Sequence, residues 1–281
     1  MNKKNISLYR CPTNRDVLEY IKEEEKEYLK SSYGKVYEIT DNIPNFTLLE
    51  SKHLTRNKYA IDLFKEKARL YDEYQHLSFE TFYQKEDDVR NYMIDKLNLS
   101  ENSVILEVNC GTGRDSQLIA KRLSSKGELH IQDISREMLE VCQEKIDKEK
   151  FQVPIFIHQG NALKLPYSEN TFDAIYSFGG IGMNTYLDNK SAINELVRVT
   201  KIGGRVVFGG LSLAPWLRET IFGKILINHN EHYANKIILE DLPLEATNLK
   251  IEWILNGAGF IVEFVVGDGE PKANFNYEIP G

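Results

Sequence analysis

Val104-Ile105-Leu106-Glu107-Val108 runs straight into Asn109-Cys110-Gly111-Thr112-Gly113-Arg114, and this junction decides the fold. Five residues rich in β-branched and apolar side chains read as a strand. The turn behind it carries two glycines, which let backbone adopt positive φ and approach a ligand without a Cβ in the way. Gly113 to Leu123 reads as a helix, with Leu118, Ile119, Arg122 and Leu123 at helical spacing. Strand, glycine turn and helix in that order place the turn at a strand's carboxyl end, where open α/β sheets bind ligands. A dinucleotide fingerprint needs a third glycine where Ser116 stands. The turn alone therefore leaves a nucleotide site and plain tight βα geometry both open.

Outward from the turn, short apolar runs alternate with amphipathic ones, the pattern of repeated β-α units around a parallel sheet. Strands are expected at Glu128–Ile131, Pro154–His158, Phe172–Phe178 and Gly204–Phe208. Ser135 should cap a helix that opens Arg136-Glu137-Met138. Leu249–Asn256 reads as a helix stopped by Gly257, and Phe260–Val266 with Asn274–Ile279 as a terminal hairpin. Before residue 100 the chain is Tyr-rich and charged, with helix-prone stretches at Asp16–Lys30 and Ser78–Leu99. No Pro- or Gly-rich linker separates this part, so it is expected to pack against the rest. The predicted division is an N-terminal extension over 1–100 and an α/β core over 101–281, with a substrate cap inserted at about 211–247.

The chain of 281 residues carries 35 Lys and Arg against 42 Asp and Glu. The formal charge of −7 argues against a non-specific nucleic-acid binder, which needs a basic surface. No apolar run approaches the ~20 residues that span a bilayer. Met1-Asn2-Lys3-Lys4-Asn5 leads into polar sequence rather than an apolar signal core, so a cytoplasmic location and no membrane partner are expected. Cys11, Cys110 and Cys142 are too far apart in sequence for a metal knuckle or redox pair, and no metal site is expected.

Ile105 to Gly113 closely resembles the first motif of class I S-adenosylmethionine-dependent methyltransferases. His130-Ile131-Gln132-Asp133-Ile134-Ser135-Arg136-Glu137-Met138-Leu139 is similar to their second motif. Gly160-Asn161-Ala162-Leu163-Lys164-Leu165-Pro166-Tyr167, followed by Phe172-Asp173-Ala174-Ile175, resembles their adenine-side loop and fourth strand. Val197 to Arg205 resembles the turn into the fifth. The resemblance covers about 103–210 and implies a Rossmann-like seven-stranded sheet, mostly parallel with one antiparallel strand, plus a helical N-terminal extension.

The cofactor it implies is S-adenosyl-L-methionine. Asp133 would accept both hydrogen bonds of the ribose diol. Glu107 would face the methionine ammonium, directly or through water. Asn161 would receive the adenine amine and Ala162 would offer its N–H to the ring, with Ile134, Met138 and Leu163 around the base. Asn109, Cys110, Gly111 and Gly113 would form the cradle, with Ser177 and Phe178 beside it. Asn109 stands where the family usually has glycine, and Asn tolerates left-handed backbone next best. Asn161 replaces the commoner Asp but keeps an acceptor.

The acceptor is less legible. Ser177 to Asn184 lacks the Asn-Pro-Pro-aromatic motif of many N-methyltransferases, and no cysteine follows Phe172 to serve as a pyrimidine nucleophile. These absences favour direct transfer to an oxygen, nitrogen or carbon of a small molecule. His229 and His232 are candidate bases, or else residues of a solvated helix face. Tyr71 is a candidate lid residue within an aromatic segment over Tyr59–Tyr83, or else core packing. Leu8 to Pro12 and Gly34 to Phe46 are similar to zinc-ribbon-like segments beside some methyltransferases, including rRNA guanine enzymes, with the metal cysteines missing apart from Cys11. An RNA base methyltransferase and a catalytically silent cofactor-fold scaffold are the alternatives. Oligomeric state is not legible.

Overall fold

Two sheets, joined edge to edge, organise the chain. The structure, a computed structural model, describes residues 6–47, 62, 65, 67–181, 188–235 and 242–269. The larger sheet contains β5 (Val104–Val108), β6 (Glu128–Asp133), β7 (Ile155–Gln159), β8 (Phe172–Phe178), β9 (Thr200–Leu211), β10 (Ala246–Ile254) and β11 (Gly259–Val266). Its order is β10-β11-β9-β8-β5-β6-β7. β5 to β9 run parallel, while β11 pairs antiparallel with both β9 and β10. The expected seven strands with one reversed are thus present.

The helices of this layer are α1 (Ala68–Glu80), α2 (Glu86–Asp95), α3 (Arg114–Ala120), α4 (Arg136–Glu149), α5 (Asn189–Val199), α6 (Pro215–Arg218) and α7 (Ile221–His229). Ser135 caps α4 as expected, accepting from Met138 N at 3.3 Å. Alternation along β5 sends Ile105 to the core on one sheet face and Leu106 and Val108 to the core on the other.

Three expectations are corrected. Asp16–Lys30 is not helical: β1 (Glu19–Glu23) and β2 (Lys26–Lys30) form an antiparallel hairpin, joined by β3 (Val36–Thr40) and β4 (Ile43–Pro44) in a four-stranded sheet. Glu19 stands opposite Lys30, Lys22 opposite Glu27 and Glu23 opposite Lys26, so the charges that read as helix-prone form cross-strand pairs of opposite sign instead. Leu249–Asn256 is not a helix either. β10 occupies it, pairs with β11, and turns at Leu255 and Asn256, both at positive φ. The hairpin partner of β11 therefore lies before it, and Asn274–Ile279 falls outside the described residues.

β4 meets the open edge of β7. Asn45 bridges Gln159 in parallel and Phe46 N donates to Gln159 O at 2.7 Å. Tyr9 bridges Tyr167, and Arg15 pairs with Glu195 at 2.8 Å. The small sheet thus covers an edge that would otherwise present unpaired backbone groups.

Candidate functional site

The carboxyl ends of β5, β6 and β8 converge on the glycine turn. Three left-handed residues shape it: Asn109 at φ 59°, Gly111 at 55° and Gly113 at 77°. Asn109 takes the conformation that its replacement of glycine requires. Its side-chain amide lies 3.4 Å from Ser177 Oγ and fills the space where a Cβ on Gly180 would stand. Gly113 is forced by packing, because a Cβ there would collide with Cys142. Gly111 is different: a Cβ would meet nothing within 4 Å, and the same holds at Gly179 after β8. The space beside each of these two glycines is open, which leaves room for a ligand to approach the backbone closely.

Asp133 ends β6, buried, with one oxygen on Gly111 N at 2.9 Å and the other on Ser135 N at 2.9 Å. Burial raises its pKa, and the hydrogen bonds from backbone amides oppose the rise. Ile134 and Met138 follow on the loop and the first turn of α4. Met138 packs with Ala68 and Val141, and Tyr71 of α1 lies against them. Asn161, Ala162 and Leu163 occupy the loop after β7. Asn161 Oδ1 accepts from Leu163 N at 2.9 Å, so this acceptor already fixes the loop.

Glu107 is buried on β5 beside Tyr176 of β8. Ser116 Oγ donates to its carboxylate at 2.5 Å. Burial pushes the Glu107 carboxyl well up, the negative Asp115 adds to this, and the Ser116 hydrogen bond opposes it. Ser116, at the third-glycine position, thus holds the acid of β5.

Around Glu107 lies a charged group that sequence reading missed. Arg90 of α2 pairs with Glu86 at 2.7 Å and Asp115 at 2.6 Å, between the rings of Phe79 and Phe178. Asp115 Oδ1 and the Tyr176 hydroxyl are buried without hydrogen-bond partners. Arg114 joins Glu86 and Asp72, and Thr112 Oγ1 donates to Asp72 at 2.6 Å. Arg90 and Asp72 carry no local motif in their charged helices. Only the long-range packing of α1 and α2 onto α3 and α4 exposes their role.

The candidate bases separate from this centre. His229 ends α7, exposed, and His232 sits in a single 3-10 turn with Nδ1 buried and unpartnered. Among the described residues, no hydrogen bond or ion pair joins either to the glycine turn. Cys11, Cys110 and Cys142 are all free and buried. Among the described residues no three His, Cys, Asp or Glu side chains are grouped to hold a metal ion. No described helix is long and apolar enough to cross a membrane.

A seven-stranded sheet in this order, with a glycine turn and a strand-end acid at its carboxyl edge, defines the Rossmann-like methyltransferase class. The model of the ubiE/COQ5 methyltransferase family matches residues 52–214, and the chain belongs to that family. It is 33% identical over 118 residues to the demethylmenaquinone methyltransferase of Lactiplantibacillus plantarum, covering 42% of this chain and 49% of that protein. The protein of the same name from Bacillus subtilis is 31% identical over 139 residues, with 50% and 58% covered. The chain thus spans about half the length of the curated relatives it matches. Two solved structures share the fold. A Methanococcus maripaludis protein described as a putative S-adenosyl-L-methionine-dependent methyltransferase gives a TM-score of 0.51 at 21% identity, covering 73% of this chain and 94% of that one. Phosphoethanolamine N-methyltransferase 2 of Haemonchus contortus, in complex with S-adenosyl-L-methionine, gives 0.53 at 14%, covering 64% and 53%.

Proposed function

We propose that the chain transfers a methyl group from S-adenosyl-L-methionine to a small-molecule acceptor, with a demethylmenaquinone-like quinol as the acceptor class. The observation that carries the cofactor reading is the open space beside Gly111, whose amide donates to the Asp133 carboxylate at the end of β6. Each Asp133 oxygen keeps a second lone pair for a ribose hydroxyl. Glu107, Asp115 and Arg90 supply both signs of charge for an amino-acid zwitterion. Ile134, Met138, Asn161, Ala162 and Leu163 surround the base, and Cys110, Gly113, Ser177 and Phe178 complete the wall.

The sulfonium supplies an activated methyl with a good leaving group. The chain holds the acceptor in line with that methyl and excludes water. Exclusion of water falls to α1, because Tyr71 lies on the Met138 cluster and Asp72 ties the helix to Thr112 of the turn. A quinol acceptor is supported by the names of the relatives and by the family. We assign acceptor choice to the segment at about 211–247, which carries His229 and His232 and lies mostly beyond the family match, which ends at residue 214. Residues 6–47 form a ribbon-like module without the metal cysteines, in which Cys11 Sγ contacts Tyr37 Oη at 3.1 Å. We assign the division as 1–100 and 101–281.

Calorimetry with S-adenosyl-L-methionine and S-adenosylhomocysteine tests the cofactor, and both should bind. Transfer of labelled methyl to reduced demethylmenaquinone tests the acceptor. Cofactor binding without transfer to the quinol would reject this acceptor and keep the class. No binding of either compound would reject the function and leave a scaffold.

A further inference from the structure

Glu107 is an acid where the sheet would otherwise bury an apolar side chain. Strand alternation places it on the same face of β5 as Ile105, which shares a core with Ile119 and Ala120 of α3. On that helix Ser116, Ile119 and Ala120 are all buried, the inward stripe that i, i+3 and i+4 spacing produces. Ser116 is the polar member of the stripe, and its Oγ donates to Glu107 Oε2 at 2.5 Å. A glycine here, as in a dinucleotide fingerprint, would bring no hydroxyl to the acid.

Little else holds this carboxyl. Arg90 of α2 favours its ionised form, but Arg90 Nε and Nη1 are already engaged by Glu86 at 2.7 Å and Asp115 at 2.6 Å. Asp115 of α3 opposes ionisation, and Cys142 of α4, Tyr176 of β8 and Cys110 of the turn lie around the same group. Among the described residues, Ser116 is the single side chain that hydrogen-bonds to Glu107. A buried carboxylate with no counter-ion of its own is costly until a donor or a ligand cation supplies the partner.

We propose that Ser116 is a positioning residue, whose hydroxyl fixes one carboxylate oxygen of Glu107 and leaves the other for the ammonium of S-adenosyl-L-methionine. The bond stands on the geometry, and its role toward the ligand rests on the function proposed above. Two effects combine. A hydroxyl bond to an ionised carboxylate is about twice as strong as one between neutral groups, so it strengthens as Glu107 loses its proton. It also orders a side chain with several rotatable bonds before the ligand arrives. Without the hydroxyl, burial and Asp115 are opposed by Arg90 alone, and ionisation of Glu107 moves to higher pH.

Glu107 is to be followed in the full chain as wild type, Ser116→Ala and Ser116→Gly. Both variants lack the hydroxyl but differ in bulk and helix propensity, so a change they share belongs to the hydrogen bond. Carboxyl-carbon NMR titration, with the Glu107 signal assigned from Glu107→Gln, reads ionisation in the free chain. Calorimetry with S-adenosyl-L-methionine over a pH series reads binding. In both variants the Glu107 transition should move to higher pH. Affinity at pH values below it should fall about tenfold, and the plateau of affinity should move with the transition. Lower melting temperatures with an unmoved transition and pH profile would overturn the proposal and leave Ser116 as packing. A moved transition with wild-type affinity at every pH would overturn the positioning role. A moved transition in a chain that binds neither S-adenosyl-L-methionine nor S-adenosylhomocysteine would overturn the proposed function, and the ligand role with it, while the bond stands.

Discussion

Asp133 and Gly111 are joined across the turn: the carboxylate of one accepts the amide of the other at 2.9 Å, while its second oxygen holds Ser135 N. The residue at the proposed ribose contact therefore also sets the shape of the cradle and the start of α4.

Asp133→Ala should accordingly lower both cofactor affinity and stability. Removing the acceptor leaves the buried Ser135 amide and the half-buried Gly111 amide unpaired, at about 1–3 kcal/mol for a buried donor. Thermal melting and calorimetry on the same preparation check this. An unchanged melting temperature would show that the turn holds its shape without Asp133.

Cofactor binding should release a proton from Glu107. Burial and Asp115 raise its carboxyl well above the usual range, so ionisation is disfavoured before a cation arrives. A cationic ligand favours the ionised form and lowers that pKa. Binding is then coupled to deprotonation, and affinity rises with pH below the raised pKa and flattens above it. Titrations in two buffers of different ionisation enthalpy count the proton. Glu107→Gln should remove both the proton release and the pH dependence, and a pH slope that survives in this variant would place the proton elsewhere.

The parallel half of the large sheet is legible in the sequence because each β-α unit carries its own signals. Val104–Val108 is followed by glycines, and Ser135 precedes an acidic first turn. β10 is not legible, because Leu249, Ile251 and Trp253 alternate in a strand that also reads as a helix of mixed polarity. Only pairing with β11 decides it. Asp133, Asn109 and the glycines announce their roles by position in a motif. Arg90 and Asp72 do not, because their chemistry arises from helices packing across long stretches of chain. Within the expected lid, Phe79 and Phe82 are core residues and Tyr74 is exposed, so the aromatic count overstates the covering face.

Tying α1 to the turn should be separable from stability. Burial opposes ionisation of Asp72, but hydrogen bonds from Lys145 and Thr112 and the charges of Lys145 and Arg114 hold its carboxyl below the usual range. The side chain is 24% exposed, so the pairs contribute only about 1 kcal/mol or less to folding. Asp72→Asn and Tyr71→Ala should each reduce turnover more than they lower the melting temperature. Hydrogen exchange over 68–80 should slow when S-adenosylhomocysteine binds. Exchange there that ignores the ligand, with turnover intact in both variants, would make α1 ordinary packing.

Acid should loosen the junction between the small sheet and β7. His158 is buried with Nδ1 on the Tyr167 hydroxyl at 3.1 Å, and that hydroxyl also reaches His130 Nδ1 at 3.3 Å. Tyr9 and Phe46 of the N-terminal module close over it, with ring centroids 5.6 and 5.8 Å away. Burial lowers the pKa of His158 to about 3, and that of His130 is also lowered by burial, against the pull of Glu128. Both rings are neutral in the fold and take up protons when exposed. Their stability contribution is complete above the unfolded pKa of about 6.5 and declines as pH falls toward 3. The slope for one such ring is about 1.4 kcal/mol per pH unit. Denaturant titrations between pH 7.5 and 4.5, followed by a tyrosine signal, measure it. His158→Phe keeps an apolar ring beside Tyr9 and Phe46 but binds no proton, so its stability should fall less steeply with acid than wild type. Parallel slopes for the two proteins would show that His158 is already protonated in the fold or reaches water without unfolding.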